Sequence, residues 1–405
     1  MPVGPIDQSE ALHRRARAFI EASLGVDRAG STGAGRAAAA SPPQDQGERG
    51  ALPETFDALA IALARHQAAH CAPVARLFEA RGADVAAMDH AAQIPAVPCD
   101  VFRFARVAAH PPEADERVFR TSGTSLGAAS RGEHPFRTTA TYELAALAWG
   151  ERLLWPDGAR LRAIVLAPPL HEAPDSSLGF MIDRFAARLS GPASWHVRGG
   201  ELDAAGFARA CAEARASGEP ALVLGTSFAF VHLIEHLIEH LLEARLPESA
   251  TLLPEGSRVM QTGGYKGRSR EVPADELRAS IARALGVPLS HVVSEYGMTE
   301  LSSQLYEGTL AAALSGAPGA APGLYLAPPW TRVTAVDPET LAPLPAGEIG
   351  LARIVDLANV DSAVAIQTAD RVRVTAEGVE LLGRASGAPP RGCSIAMDQM
   401  LGGGA

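Results

Sequence analysis

The sequence predicts an α/β fold, and three observations carry that prediction. Arg162-Ala-Ile-Val-Leu-Ala and Ala221-Leu-Val-Leu-Gly are short apolar runs that read as buried strands. Each has helical periodicity on either side, the alternation that layers helices on a sheet. After Gly319 the pattern changes to short alternating segments separated by Pro, Gly and Asp turns, so the chain closes in a small β-rich subdomain.

The elements follow in order. Residues 7–24 have apolar positions at helical spacing beside the basic patch Arg14-Arg15-Ala16-Arg17, giving an N-terminal helical unit over 1–26. Residues 27–52, rich in Gly, Ala, Ser, Pro and Gln without periodicity, read as a flexible linker. The α/β core spans 53–320. Within it Thr55 to Arg81 is helical, ending near Gly82; Pro95 to Arg106 lead as an extended segment into Val118-Phe119-Arg120; and 138–155 are helical. The helix from Phe228 to Arg245 carries His232, His236 and His240 with Glu235, Glu239 and Glu243, an overlapping His-x-x-Glu-His that imitates an inverted zincin site. The stripe Leu233, Ile234, Leu237, Ile238, Leu241 and Leu242 on the same helix makes it an amphipathic helix with a solvated His/Glu face instead. The β-rich subdomain spans 321–384, with strands at Gly323-Leu-Tyr-Leu, Thr331 to Val336, Glu348 to Val355, Arg371 to Val374 and Val379 to Leu382. Residues 385–405 read as a mobile C-terminal segment.

Composition narrows the function classes. The 405 residues are 47% apolar, enough for a large core, and carry a formal net charge of -10 without a local basic cluster, which argues against nucleic acid or anionic membrane as partner. Cys71, Cys99, Cys211 and Cys393 stand far apart, suggesting neither zinc site nor disulfide framework. The start lacks an apolar core, and no run approaches membrane-spanning length. A soluble, cytoplasmic protein with reduced thiols is expected. Only one of the 36 basic residues is a lysine, Lys266.

Five stretches suggest a nucleotide site. From Thr121 to Gly127 hydroxyls alternate with glycine: Ser122, Thr124 and Ser125 add side-chain donors to Thr121, while Gly123 and Gly127 free the backbone amides to converge on a polyphosphate. No Gly-Lys-Ser/Thr closes it, so it is not a Walker loop. Tyr296, Gly297, Met298, Thr299 and Glu300 offer an aromatic ring to stack a base, a glycine for close approach, a hydroxyl, and a carboxylate to hold Mg²⁺ against phosphate. Asp370, in Thr368-Ala-Asp, suits the ribose hydroxyls of ATP, and Arg384, after Gly383, adds a donor. Thr262-Gly263-Gly264-Tyr-Lys266-Gly267 is a second tight turn bearing the lysine.

In these motifs the chain resembles the adenylate-forming superfamily of acyl-CoA ligases and related synthetases. The loop at 121–127 resembles its Thr-Ser-Gly-Thr-Thr-Gly signature, and Pro169-Leu-His171 its segment beside the acyl pocket. Tyr296 to Glu300 match Tyr-Gly-x-Thr-Glu, Thr368 to Asp370 match Thr-Gly-Asp with alanine for glycine, and Gly383-Arg384 match the Gly-Arg before the hinge. The resemblance implies mixed sheets with flanking helices, ATP and Mg²⁺ as cofactors, and a carboxylic acid converted to an acyl-adenylate. Most of that superfamily continues into a lid domain with a catalytic lysine; here 21 residues follow Arg384, so a full-size lid is expected to be missing.

A narrower resemblance fits that ending. Arg131-Gly-x-His134, Asp175-Ser-Ser-Leu178, Thr262-Gly-Gly-x-Lys-Gly267 and the terminal Gly-Ala-Pro-Pro-Arg-Gly-Cys-Ser394 look like the acyl-protein synthetase (LuxE-type) family of fatty-acid reductase systems, over roughly residues 55–400. The family implies that the acyl group passes from the adenylate to Cys393, then to a partner acyl reductase. Adenylation gives the resistant carboxylate a stabilised leaving group, and a thiolate is a competent acceptor. Lys266 either replaces the missing lid lysine or makes a surface pairing, and His171 either positions the substrate carboxylate or is structural. The alternatives are an acyl- or aryl-CoA ligase with a lid supplied in trans, and a non-catalytic nucleotide-binding scaffold.

Overall fold

The computed structural model describes residues 4–25, 52–121, 131–242, 248–263, 272–317, 320–385 and 391–401. The expected linker at 27–52 lies almost wholly outside them. The elements are α1 (Pro5–Ser23), α2 (Phe56–His70), α3 (Ala72–Ala80), β1 (Val97–Pro98), β2 (Arg117–Arg120), β3 (Glu133–Phe136), α4 (Ala140–Leu154), β4 (Arg162–Leu166), α5 (Ser177–Arg188), β5 (Ala193–Trp195), β6 (Val197–Arg198) and β7 (Glu201–Leu202). There follow α6 (Ala204–Ser217), β8 (Ala221–Thr226), α7 (Ser227–Leu242), β9 (Arg258–Thr262), α8 (Ala274–Leu285), β10 (Val292–Tyr296), β11 (Leu305–Glu307) and α9 (Thr309–Ser315). Last come β12 (Leu324–Leu326), β13 (Thr331–Val336), β14 (Ile349–Asp356), β15 (Ala365–Val374), β16 (Val379–Arg384) and α10 (Arg391–Leu401). The expected single helix over 55–81 is two, because Pro73 forbids continuation and Cys71 between them is extended.

One mixed sheet of 12 strands, in the order β13-β14-β15-β16-β12-β11-β10-β9-β8-β4-β5 with β1 on β15, organises the described residues. From β10 to β5 the pairings are parallel; from β10 to β13 they are antiparallel. The sheet crosses the expected boundary at 320/321 without a break, since β12 joins β11 to β16. The parallel strands are covered on both faces. Ile164, Leu166, Val223, Val259 and Val292 pack with α6, α7 and α8, while their strand neighbours Ala163, Val165, Leu224, Met260 and Val293 face α4, α5 and the larger core.

The fold also decides two ambiguous segments. On α7, Leu233 and Leu237 are buried and His232 Nδ1 sits 3.7 Å from Glu235 Oε2 in a half-exposed pair, the amphipathic arrangement. The segment expected to be a mobile tail contains α10, which packs on α3, β1 and the turn Cys99–Arg103. Ala396 and Met400 are buried, and Arg76 Nε donates to the Met400 carbonyl at 2.6 Å, so apolar contact overrides the Gly/Pro-rich composition around it. No helix among the described residues is long and apolar enough to cross a membrane.

Candidate active site

The site lies where the sheet changes from parallel to antiparallel. Thr226, Thr262 and Glu295 are register neighbours at the carboxyl ends of β8, β9 and β10, and the chain beyond β10 turns back into antiparallel β11. Crevices at such a switch are where α/β sheets hold ligands. Gly263, at φ 80°, ends β9 in the left-handed region open to glycine, and its carbonyl accepts from Ser227 Oγ at 2.8 Å.

The other half of the sheet supplies the charges. Asp370 on β15 and Arg384 on β16 are cross-strand partners, and the Tyr296 hydroxyl, reaching over from β10, donates to Asp370 Oδ2 at 2.8 Å. Burial, reinforced by Asp370, pushes the Tyr296 phenol well above its ordinary range, so it stays a donor. Burial works against the charge of Arg384, yet Cys99, Asp370, Asp100 and Glu300 around it raise its pKa. The Cys99 thiol is pushed well up, first by burial and then by Glu300 and Asp100. These mutual effects put the Cys99-Asp100 turn, Glu300, Asp370 and Arg384 in one neighbourhood.

The Tyr296–Glu300 segment is held from behind. His134, fully buried and pushed by that burial to about 4, is neutral. Its Nδ1 donates to the Thr299 carbonyl at 2.7 Å, which leaves Nε2 to accept from Ser362 Oγ at 2.7 Å. Asn359 Nδ2 donates to the Glu300 carbonyl at 2.9 Å, and Asp356 accepts from the Ser302 amide and the Ser303 hydroxyl. The backbone is thereby fixed while Met298 packs against the core. A Cβ at Gly297 would stand 2.3 Å from Glu295 Oε1, so a side chain there would displace the end of Glu295. Glu295 itself is buried with the Thr262 hydroxyl as its hydrogen-bond donor, and burial raises its pKa to about 7.

The mouth of the hydroxyl loop is clamped. Arg131 Nη1 pairs with Asp175 Oδ2 at 2.7 Å and its Nε donates to the Thr121 carbonyl at 2.5 Å, while Thr121 Oγ1 accepts from the Gly132 amide at 2.8 Å. Between these ends, Ser122, Gly123, Thr124, Ser125 and Gly127 lie outside the described residues, as do Gly264 and Lys266. His171 does not join the cluster: its side chain is 75% exposed and its partner is Glu172 at 3.9 Å. Cys393 is the third residue of α10, and its side chain is outside the described set.

Sequence reading missed three contributors. Glu295 hides in Val-Val-Ser-Glu-Tyr, where polar residues also masked β10 as a strand. Cys99 and Asp100 adjoin Arg384, Asp370 and Glu300. The role of Arg131 needed its partner Asp175, 44 positions away.

Comparison with known proteins agrees with this geometry. No curated protein matches the chain. An open conformation of 2-hydroxyisobutyryl-CoA ligase in complex with 2-HIB-AMP and CoA superposes with a TM-score of 0.59 at 15% identity, covering 81% of this chain and 69% of that one. ATP-bound MatB from Rhodopseudomonas palustris gives a TM-score of 0.47 at 17% identity over 67% of this chain and 48% of its own, so this chain spans about half the length of MatB. The fold of the described residues is that of the large domain of adenylate-forming ligases. The family model for "Acyl-protein synthetase, LuxE" matches residues 53–402, and the chain belongs to that family.

Proposed function

We propose that the protein uses ATP to activate a carboxylic acid, a fatty acid by its family, and then carries the acyl group as a thioester on Cys393. The acid's carboxylate oxygen attacks the α-phosphorus of ATP and pyrophosphate leaves; the Cys393 thiolate then attacks the acyl carbon and AMP leaves. The acyl group passes on to a partner protein such as an acyl reductase. Asp370 accepts from the ribose hydroxyls, Arg384 offsets the charge, Tyr296 packs the base, and the backbone of Thr121–Gly127, Gly263 and Gly264 cradles phosphate.

Among the described residues no group of three or more His, Cys, Asp or Glu could hold a metal ion. Mg²⁺ usually binds through one or two carboxylates plus substrate phosphates, so Glu300 would fit it together with ATP. Bound there, Mg²⁺ would neutralise charge in the displacement.

The observation that carries the reading is the seat of α10. The helix bearing Cys393 in its first turn packs on the Cys99–Arg103 turn, whose Cys99 and Asp100 adjoin Asp370, Arg384 and Glu300. A helix N-terminus favours an anion such as a thiolate. Intact-protein mass spectrometry after incubation with ATP, Mg²⁺ and a panel of acids tests it. A hydroxylamine-labile adduct present in wild type and lost in Cys393→Ala is expected. Pyrophosphate release without any adduct removes Cys393 as acceptor and points to CoA.

A further inference from the structure

A cavity of about 420 Å³ opens between α3, the 83–96 segment and the β13–β14 turn, a volume within the usual range of small-molecule pockets. Leu77, Met88, Ile94, Leu341 and Pro343 give its walls an apolar part, which they share with polar groups. Arg353 and Gln367 also line it, and they are cross-strand partners on β14 and β15. Exposed Arg81 and Asp84 stand at its rim.

Arg353 is anomalous. Three arginines are buried among the described residues, and two are conventionally neutralised: Arg258 by Asp157 and Arg278 by Glu307. Arg353 has no carboxylate at ion-pair distance among the described residues. Its Nη2 donates to the Ala91 and Ile94 carbonyls at 3.2 and 2.7 Å, and its Nε and Nη1 make no hydrogen bond among those residues. Burial lowers its pKa, the sign of a cation without its counter-charge. Gln367 has a similar deficit: Nε2 donates to the Ala352 and Thr368 carbonyls, which fixes the amide orientation, while the buried Oε1 lacks a partner.

The local backbone is shaped to produce this. Pairing of β14 with β15 slips between Leu351 and Arg353, and such a bulge re-aims the side chains beside it. Leu341 adopts φ 58°, a conformation rare for a residue with a side chain, beside the same cavity.

We infer that this cavity is a second binding site, separate from the Tyr296–Asp370 site, for a monocarboxylate with a compact apolar body. The carboxylate accepts a charge-assisted hydrogen bond from Nη1 of Arg353, whose Nη2 is already engaged by the Ala91 and Ile94 carbonyls. The single buried cation matches one negative charge, since Arg81 and Asp84 offset each other at the rim, and the apolar part of the walls takes the body of the ligand. The site shares β15 with Asp370: Thr368 Oγ1 bridges the Ala352 carbonyl and the Asp370 amide.

The test uses 4-bromobenzoate with the full chain, by crystal soaking and by calorimetry. Expected are a bromine anomalous peak in the cavity with the carboxylate on Arg353, and binding weakened about tenfold or more by Arg353→Lys and by the cavity-filling Ala83→Phe, as for loss of a charge-assisted hydrogen bond. Thermal melting checks that each variant is folded, and Ala83→Phe decides the matter if Arg353→Lys is not. A bromine peak only beside Tyr296, no peak, or wild-type affinity in Ala83→Phe overturns the assignment.

Discussion

Two buried carboxyl groups, Asp361 and Glu295, are comparably hidden from solvent, yet their pKa values move in opposite directions. Asp361 accepts from Ser9 Oγ at 2.5 Å and His13 Nε2 at 2.8 Å, with His66 and Arg137 at 3.8 and 3.5 Å. Burial alone would raise its pKa, but the hydrogen bonds of His13 and Ser9 and the charge of His13 hold it far below the usual carboxylate range. Among the described residues Glu295 has the Thr262 hydroxyl and no cation at ion-pair distance, so burial wins and the pKa rises to about 7. Burial sets the cost of charge, and the company a group keeps decides whether it is charged. Asp361 thereby ties α1 to the core through Ser9 and His13, whereas Glu295 leaves the strand end next to Tyr296 near neutrality.

The largest effect is expected from breaking the ionised side. Asp361→Ala leaves buried donors without their acceptor and costs about 3–5 kcal/mol in urea unfolding. Because the folded pKa of Asp361 is depressed, its contribution is present above the unfolded value of about 4 and disappears as pH falls toward the folded one. Wild type should therefore lose stability toward acid more steeply than the variant, and equal acid slopes would mean that Asp361 is not the ionised member.

Removing Asp370, the carboxylate placed at the proposed nucleotide, leaves the fold alone and strikes binding. Asp370→Ala is expected to reduce ATP–pyrophosphate exchange about 10–100-fold, the loss of one or two hydrogen bonds to a charged group. Unchanged exchange would remove Asp370 from the site.

On the neutral side, Glu295→Gln copies the protonated form. A raised pKa means the folded state holds a proton that the unfolded chain releases, so stability falls as pH rises from about 4.5 to about 7. The variant should match wild type at pH 5 and exceed it by about 1–3 kcal/mol at pH 8. The same difference at both values of pH contradicts a raised pKa. The smallest effect belongs to His171→Ala: exposed, it should shift stability by less than about 0.5 kcal/mol, and an unchanged KM for the acid would exclude it from the substrate pocket.

Much of this architecture was legible in the sequence. The apolar runs Arg162 to Leu166 and Ala221 to Gly225 became β4 and β8, and the His/Glu repeat proved to be the solvated face of α7 where it is described. By contrast β9 and β10 were hidden, because Arg258, Gln261, Ser294 and Glu295 interrupt the expected run of apolar residues. Each is buried with a partner from elsewhere: Arg258 on Asp157, Gln261 on Ser294, Glu295 on Thr262. A polar residue in a strand is satisfied only by the tertiary structure, and spacing along the chain does not reveal its partner.

The sequence by itself determined the alternation of strands and helices, the order of the motifs and the family they indicate, because periodicity and glycine-hydroxyl patterns are local properties. The tertiary structure alone decided that Tyr296 meets Asp370, that Arg131 meets Asp175, that α10 docks beside Cys99, and that Arg353 has no carboxylate at ion-pair distance among the described residues. Those outcomes depend on distances between residues remote in sequence, and on the low-dielectric surroundings that packing creates around them.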